Sequence, residues 1–241
     1  MKNYKKAFTM LYFLIVATFV SSLFVGIKLG VLLVLLGFFM INVAEAFRKT
    51  NIIYDENKRI NLKIVHIVAG TTLGLLSLKE EKIGLGIAFT SLIIYLNYLY
   101  FLDKVTKEET PYISLFAELG LGQKSTLNVA FGLISITLTY LFFKNPISSI
   151  SVLAFAIGDG VGGLFGRLYG KIKLPYNKSK TVEGTTLELL TLLVLFFVTT
   201  RNPFQSLLVA LLLTLFETLP LPINDNLLYS ITAGILQQLI L

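Results

Sequence analysis

The stretch FAIGDGVGGLFGRLYGKIKLPYNKSKTVEGTTLELL, residues 155–190, begins as an apolar helix and then carries features that membrane helices usually avoid. Asp159 stands inside the apolar run, five glycines lie around it, and five basic residues follow before the next apolar run. A carboxylate inside a bilayer costs about 2.5–3.5 kcal/mol even on the mildest insertion scale, and it therefore indicates function by default. The stretch predicts two membrane helices joined by a basic loop, with a functional site at Asp159.

The composition of the whole chain agrees with a membrane protein. Of its 241 residues, 55% are hydrophobic and only 15% are charged, whereas soluble domains have about 25% charged residues. The chain has no cysteine and one histidine, His66. This excludes a disulfide framework, a cysteine-based metal site and a multi-histidine metal site. The net charge of +7 fits basic residues gathered on one side of a membrane, so we expect membrane lipids and no nucleic acid as partners.

The apolar runs predict an all-α fold, a polytopic transmembrane helical bundle of about nine spans. Because no flexible linker or composition break divides the chain, we expect one domain over residues 1–241. The first run follows the basic segment MKNYKK, and we interpret it as an uncleaved anchor because a second run follows at once. The nine runs lie at 8–25, 29–47, 62–78, 83–102, 127–143, 147–166, 186–199, 204–219 and 227–241.

The distribution of basic residues predicts the orientation of the bundle. With the N-terminus in the cytoplasm, 16 of the 21 lysines and arginines fall in inner segments, as the positive-inside rule requires. The loop at 167–184 is then cytoplasmic, and so is the site beside it. We expect an integral protein of a prokaryotic plasma membrane, or of the endoplasmic reticulum in a eukaryote.

Two parallel stripes run along the predicted helix around Asp159, because residues four apart share one helix face. Small residues at this spacing also allow close helix packing, and that alternative is open for Gly166 and Gly170 in particular. Packing does not account for the carboxylate. The first stripe consists of Gly158, Gly162, Gly166 and Gly170, and the adjacent one of Asp159, Gly163, Arg167 and Lys171.

The seventh apolar run begins with the segment TVEGTTLE. Thr185 followed by Glu188 predicts a capping box at the start of this helix. A helix N-terminus also attracts anions through its free N–H groups and its dipole. An acidic residue, glycines, lysines and a helix N-terminus are the parts that hold a nucleoside triphosphate with magnesium, although the sequence has no Walker A motif.

These segments resemble the CTP-dependent lipid kinases, the family of dolichol kinase, phytol kinase and the CTP-using diacylglycerol kinase. The resemblance rests first on GDGVGGLFGRLYGK (158–171) followed by KSKTVEGTTLE (178–188). FETLPLPINDNL (216–227) is similar to the family's C-terminal acidic segment. LKIVHIVAG (62–70) is similar to its Arg-Lys-x-x-His segment, with Leu62 in place of the usual Arg, and Glu45 lies where an acidic residue often precedes it.

The resemblance implies a kinase that transfers the γ-phosphate of CTP to a polyisoprenoid alcohol of the dolichol or polyprenol type, with magnesium as cofactor. It implies catalytic roles for Asp159, His66, Glu217 and Asp225, of which Asp159 and Asp225 would hold the metal, with Glu217 as the other choice for the second ligand. It leaves open whether a carboxylate or His66 orients the lipid hydroxyl. The implied nucleotide contacts are Gly158, Gly160, Gly163, Arg167, Lys171, Lys180, Thr181, Glu183, Gly184, Thr185 and Asn226.

Several polar residues of these segments also have a simpler interpretation. His66 and Glu217 could be interfacial polar residues, Asp225 and Asn226 could cap the last span, and Lys173 and Lys178 could anchor a cytoplasmic loop. Two other functions compete with the kinase. A membrane cytidylyltransferase would share CTP, metal and location, and a transporter would use an intramembrane carboxylate and broken helices.

Overall fold

The structure, a computed structural model, describes residues 60–105 and 123–241. The first two predicted spans and Glu45 lie outside these residues. In the described part, the regular elements are helices, together with one isolated bridge between Lys173 and Thr181. The all-α prediction is therefore confirmed for this part of the chain.

The helices follow the predicted apolar runs closely. All seven runs that fall in the described residues form helices, and most boundaries agree within two or three residues. In chain order the helices are α1 (Ile60–Lys79), α2 (Glu81–Val105), α3 (Gln123–Phe142), α4 (Ile147–Leu153), a π-helical segment (Ala154–Asp159), α5 (Gly160–Tyr169), α6 (Val182–Thr200), α7 (Pro203–Thr218) and α8 (Asp225–Ile240).

One long helix stands at the centre of the fold. Helix α4, the π-helical segment and α5 continue into one another over Ile147–Tyr169, and α1, α3, α6 and α8 pack around them. Phe155, Leu192 and Tyr229 meet in the hydrophobic core beside the π-helical segment. The segment that carries Asp159 is thus held by side chains from several helices.

Two helices of the described part are long and apolar enough to cross a membrane, Ile147–Tyr169 and Val182–Thr200. They differ in burial: 72% of the apolar window of the first is buried, against 22% of the second. Helix α6 therefore turns an apolar face outward, with side chains such as Val194 and Val198 exposed. The count of nine spans and the cytoplasmic N-terminus stay predictions.

The predicted start of α6 is wrong by one helical turn. The N-cap is Thr181, whose hydroxyl accepts a hydrogen bond from Gly184 N at 3.2 Å. Thr185 lies inside the helix and Glu188 is buried, so these two residues do not form the predicted capping box. The physical cause is the loop before the helix: the bridge to Lys173 holds Thr181 in the extended conformation that an N-cap requires.

Candidate functional site

Asp159 ends the π-helical segment and is buried. Its Oδ2 lies 2.6 Å from Lys63 Nζ and 3.8 Å from His66 Nε2, and both of these residues belong to the first two turns of α1. Arg167 is the nearest basic residue to Asp159 on the helix stripe predicted from the sequence. Arg167 lies on the exposed face of α5, two stripe positions after Asp159, and the buried carboxylate forms its ion pair with Lys63.

The His66 side chain contacts the backbone of the π-helical segment. The imidazole Nε2 lies 3.1 Å from the carbonyl oxygen of Phe155, and the two rings stack edge to face with centroids 4.5 Å apart. Single π-helical turns inside α-helices are frequent at functional sites, because they widen the helix and redirect its side chains. Here the Phe155 carbonyl oxygen and the Asp159 carboxylate of this segment both face α1.

A second group of charges lies where the loop before α6 meets the ends of α7 and α8. Lys180 forms an ion pair with Glu217, and its Nζ lies 3.3 Å from Asp225 Oδ2. Glu217 is buried, whereas the side chain of Asp225 is 54% exposed and stands at the rim. Burial alone would lower the pKa of Lys180, but the carboxylates of Glu217, Asp159 and Asp225 raise it above its usual range. Lys180 therefore links this group electrostatically to Asp159.

Glu188 is a third buried carboxyl group, one that the sequence had assigned only to helix capping. Its Oε1 accepts a hydrogen bond from the Tyr229 hydroxyl at 2.7 Å. Glu188 also interacts through charge with Glu217 and Asp159. Polar residues of α1, the π-helical segment, the loop before α6, and helices α6, α7 and α8 thus converge on one region, which we call the charged cluster (Lys63, His66, Asp159, Lys180, Glu188, Glu217, Asp225).

Three members of the site were missed at the sequence level: Lys63, Glu188 and Tyr229. Lys63 lies three residues before His66 in the segment LKIVHIVAG, a spacing that puts both residues on one helix face. At the sequence level it counts only as one of the basic residues of the inner segments. Glu188 lies four residues after Gly184 in the middle of an apolar helix, and its cost in a bilayer is the same signal that identified Asp159. Tyr229 carries no sequence signal of its own.

The two predicted stripes face different helices. At Gly162 an added Cβ would lie 2.8 Å from Glu188 Cβ, and at Gly184 it would lie 2.7 Å from the Gly162 carbonyl oxygen, so α5 and α6 touch backbone to backbone. At Gly163 an added Cβ would lie 2.7 Å from Lys63 Nζ on α1. Next to Gly158 the space is occupied by the Tyr229 hydroxyl. The glycines provide the close packing that had been the alternative interpretation, and their contact with a nucleotide stays a prediction.

The loop between α5 and α6, residues 170–181, is here called the basic loop. Glu183 holds its start, because one carboxylate oxygen accepts hydrogen bonds from Lys171 N at 3.0 Å and Ile172 N at 3.2 Å. The side chains of Lys171, Lys173 and Lys178 are exposed, whereas Lys180 is half-buried. One lysine of the four therefore points into the charged cluster.

Two further residues implied by the resemblance, Gly160 and Asn226, directly follow Asp159 and Asp225 of the charged cluster in the chain. Gly160 begins α5 and packs against Ile67 and His66. Asn226 Nδ2 donates to the Asn128 carbonyl oxygen at 3.3 Å, which fastens α8 to α3. The N-cap of α8 is Asn224, so Asp225 and Asn226 belong to its first turn and do not cap it.

Magnesium fits the donor chemistry of the charged cluster. Carboxylate oxygens are the protein ligands that magnesium prefers, and nucleotide-bound magnesium usually takes only one or two of them. No group of three His, Cys, Asp or Glu residues in the described ranges could hold an ion by itself. Asp159 and Asp225, which both interact through charge with Lys180, are the carboxylates that would hold an ion arriving with phosphates rather than one held in a closed protein cage.

Comparisons with known proteins give one short similarity. The chain is 40% identical over 42 residues to a protein named "Probable phytol kinase 1, chloroplastic" from Glycine max. The match covers 17% of this chain and 14% of the relative, so the chain spans a small part of that protein's length. No protein-family model and no solved structure matches.

Proposed function

We propose that this chain is a membrane kinase that transfers the γ-phosphate of CTP to a polyisoprenoid lipid alcohol. The observation that carries the proposal is the charged cluster, in which lysines and carboxylates from four α-helices, the π-helical segment and the basic loop meet beside the N-terminus of α6. The short similarity to a phytol kinase supports the same reaction class. Phytol, dolichol and polyprenol are all isoprenoid alcohols, and each is a reasonable acceptor.

Phosphoryl transfer needs positioning and neutralisation of charge more than covalent chemistry by the protein. Lys180 is the cation best placed for the phosphates, because it is half-buried among carboxylates. Lys171 at the start of the basic loop is a second phosphate contact. Magnesium, when bound with the nucleotide, would neutralise phosphate charge, and Asp159 and Asp225 would hold it. The N–H groups at the start of α6 add a partial positive charge.

The proposal places the site at the cytoplasmic interface of a bundle of about nine spans. CTP is dissolved in the cytoplasm and a lipid alcohol reaches the site through the bilayer, so a shallow interfacial site serves both. A single cysteine at Lys178, which is exposed on the basic loop, tests this placement. Membrane-impermeant thiol reagents should not label it in intact cells and should label it after the membrane is opened.

The reaction itself is tested with purified protein in lipid nanodiscs, CTP and a panel of alcohols that includes phytol, a polyprenol and diacylglycerol. Label at the γ-phosphate of CTP should appear in the lipid, and label at the α-phosphate should not. In a parallel reaction with a polyprenyl phosphate in place of the alcohol, transfer of α-label to the lipid would instead identify a cytidylyltransferase. ATP, GTP and UTP in parallel reactions determine the nucleotide preference.

A further inference from the structure

A cavity of about 220 Å³ lies between the basic loop and residues 219–224, here called the apolar linker, which joins α7 to α8. One wall is polar and contains Lys180, Glu217 and Asp225; the other consists of Leu219, Leu221 and Ile223 with their neighbours. Sites that bury a whole drug-sized ligand measure about 300–1,000 Å³. This cavity is therefore sized for one end of a longer molecule.

The hydrogen-bonding groups of the polar wall are almost all engaged by the protein. Glu217 is the exception: its Oε1 binds Lys180, while its Oε2 is buried and has no hydrogen-bond partner among the described residues. A buried oxygen without a partner is rare and calls for an explanation. The engaged groups are Asn177 with Thr218, Ser179 with Asn177, Tyr229 with Glu188, and Lys180 with Glu217 and Asp225.

The chemistry of the two walls selects the kind of molecule that enters. The atom of the polar wall that has no partner in the described residues is a carboxylate oxygen, which accepts hydrogen bonds and therefore selects a donor. A neutral O–H group can donate a hydrogen bond to Glu217 Oε2. The carbons behind it would then meet Leu219, Leu221 and Ile223, whose exposed fractions are 49%, 40% and 52%. Exposed apolar side chains next to a buried acceptor suit an alcohol with an apolar chain.

We infer that this cavity receives the hydroxyl end of the acceptor alcohol, that Glu217 Oε2 binds its proton, and that the apolar linker holds its first carbons. The inference rests on the proposed kinase function and deepens it by separating an acceptor side from the nucleotide side at Asp159. In the transfer step the alcohol oxygen forms a bond to the γ-phosphorus and the bond from that phosphorus to the β-γ bridging oxygen breaks. CDP leaves with that electron pair, and the alcohol proton passes to Glu217.

Glu217→Gln tests the carboxylate, because Gln keeps the shape and can still accept from Lys180. Positioned general bases contribute about a hundredfold or more to the rate, so we expect kcat with phytol to fall by about that factor. CTP should still raise the unfolding temperature of the variant by the wild-type amount. The magnesium concentration that gives half-maximal activity, measured in a slow assay at high protein concentration, should also stay the same. A variant with wild-type kcat, or one whose magnesium requirement shifts, would overturn the assignment of Glu217 to the acceptor.

Ile223→Ser tests the apolar wall independently of Glu217. We expect KM for the alcohol to rise severalfold while KM for CTP is unchanged, with Leu211→Ser, an exposed apolar residue of α7 away from the cavity, as the matched control. Equal effects of the two substitutions, or a change in KM for CTP alone, would contradict the acceptor site. The proposed kinase function would still stand in that case if the wild-type protein transfers γ-label to the lipid. Absence of any transfer by the wild-type protein would instead contradict the proposed function.

Discussion

Helix α1 passes through two buried polar regions that differ in character. Its first turns carry Lys63 and His66 of the charged cluster, and its last turn carries Ser77, about 20 Å further along the axis at 1.5 Å per residue. Ser77 Oγ lies 2.6 Å from the Tyr140 hydroxyl and 2.8 Å from Ser149 Oγ. These three residues, the hydroxyl cluster, are uncharged and almost fully buried.

The two regions differ in how completely their hydrogen-bond donors and acceptors are paired within the protein. A hydroxyl both donates and accepts, so neighbouring hydroxyls from α1, α3 and α4 complete one another, as Ser135 and Ser230 do at 2.6 Å elsewhere in the core. The charged cluster instead gathers carboxyl groups that repel one another and leaves Glu217 Oε2 without a partner in the described residues. The hydroxyl cluster thus satisfies its own hydrogen bonds and fits a role in stability, whereas the unpartnered acceptor of the charged cluster agrees with the ligand-binding role that we propose for it.

The largest expected effect comes from Asp159→Asn. If the charged cluster serves the reaction, removal of this charge should lower kcat by about a hundredfold or more. Because Lys63 loses its buried counter-ion, unfolding should also become easier, by about 3–5 kcal/mol for a broken buried pair. Activity with γ-labelled CTP and thermal unfolding in nanodiscs measure the two effects.

The double variant Lys63→Met/Asp159→Asn separates the two roles of this carboxylate. It removes both charges, so stability should return toward the wild-type value while activity stays low. Recovery of activity together with stability would mean that the pair is structural, and the charged cluster would then resemble the hydroxyl cluster in its role.

Lys180→Ala should have the next largest effect on activity. Hydrogen bonds to charged groups contribute about 1.5–3 kcal/mol, so kcat/KM for CTP should fall roughly tenfold or more. Lys173→Ala is the matched control, because Lys173 lies seven residues earlier in the same loop with an exposed side chain. Equal and small effects at both positions would indicate that the basic loop only anchors the protein at the membrane surface.

The helices were predictable from the sequence because their apolar runs are long and the polar residues between them are few. The burial of Asp159 among other charged residues was also predictable, since its carboxylate carries a cost that packing does not explain, and its role as a functional site stays a prediction. The four-residue glycine spacing identified which residues share a face, and the structure adds that one face meets α6 and the other α1.

The partners inside the site were not predictable, because they depend on contacts between helices far apart in the chain. Asp159 and Lys63 are 96 residues apart, and no local pattern distinguishes Lys63 from Arg167 as the partner. The start of α6 was missed for a related reason: Thr181 and Thr185 both suit an N-cap, and a bridge to Lys173 decides between them.

Gly162→Ala should disturb the charged cluster through its packing. The new methyl would lie 2.8 Å from Glu188 Cβ, which is closer than carbon atoms approach, and overpacking of this kind costs about 1–3 kcal/mol. Gly132→Ala on α3 is the control, since its methyl would lie 3.4 Å from the Phe155 ring in near-ordinary contact. We expect a lower unfolding temperature and lower activity for the first variant and little change for the second; the reverse order would contradict the close approach of α5 and α6.

Ser77→Ala should have the smallest effect and addresses the hydroxyl cluster directly. The substitution removes a hydroxyl that contacts Tyr140, Ser149 and the Gly74 carbonyl oxygen. Ser149 keeps Asn145 as a partner, so the loss should be about 1 kcal/mol, the typical net value of one hydrogen bond. The unfolding temperature should decrease slightly, whereas kcat and both KM values should equal those of the wild type, because Ser77 is about three turns of α1 from His66 and about four from Lys63. A large loss of activity at unchanged stability would contradict the division of the two regions, since it would assign a role in the reaction to hydroxyls that the structure shows fully engaged with one another.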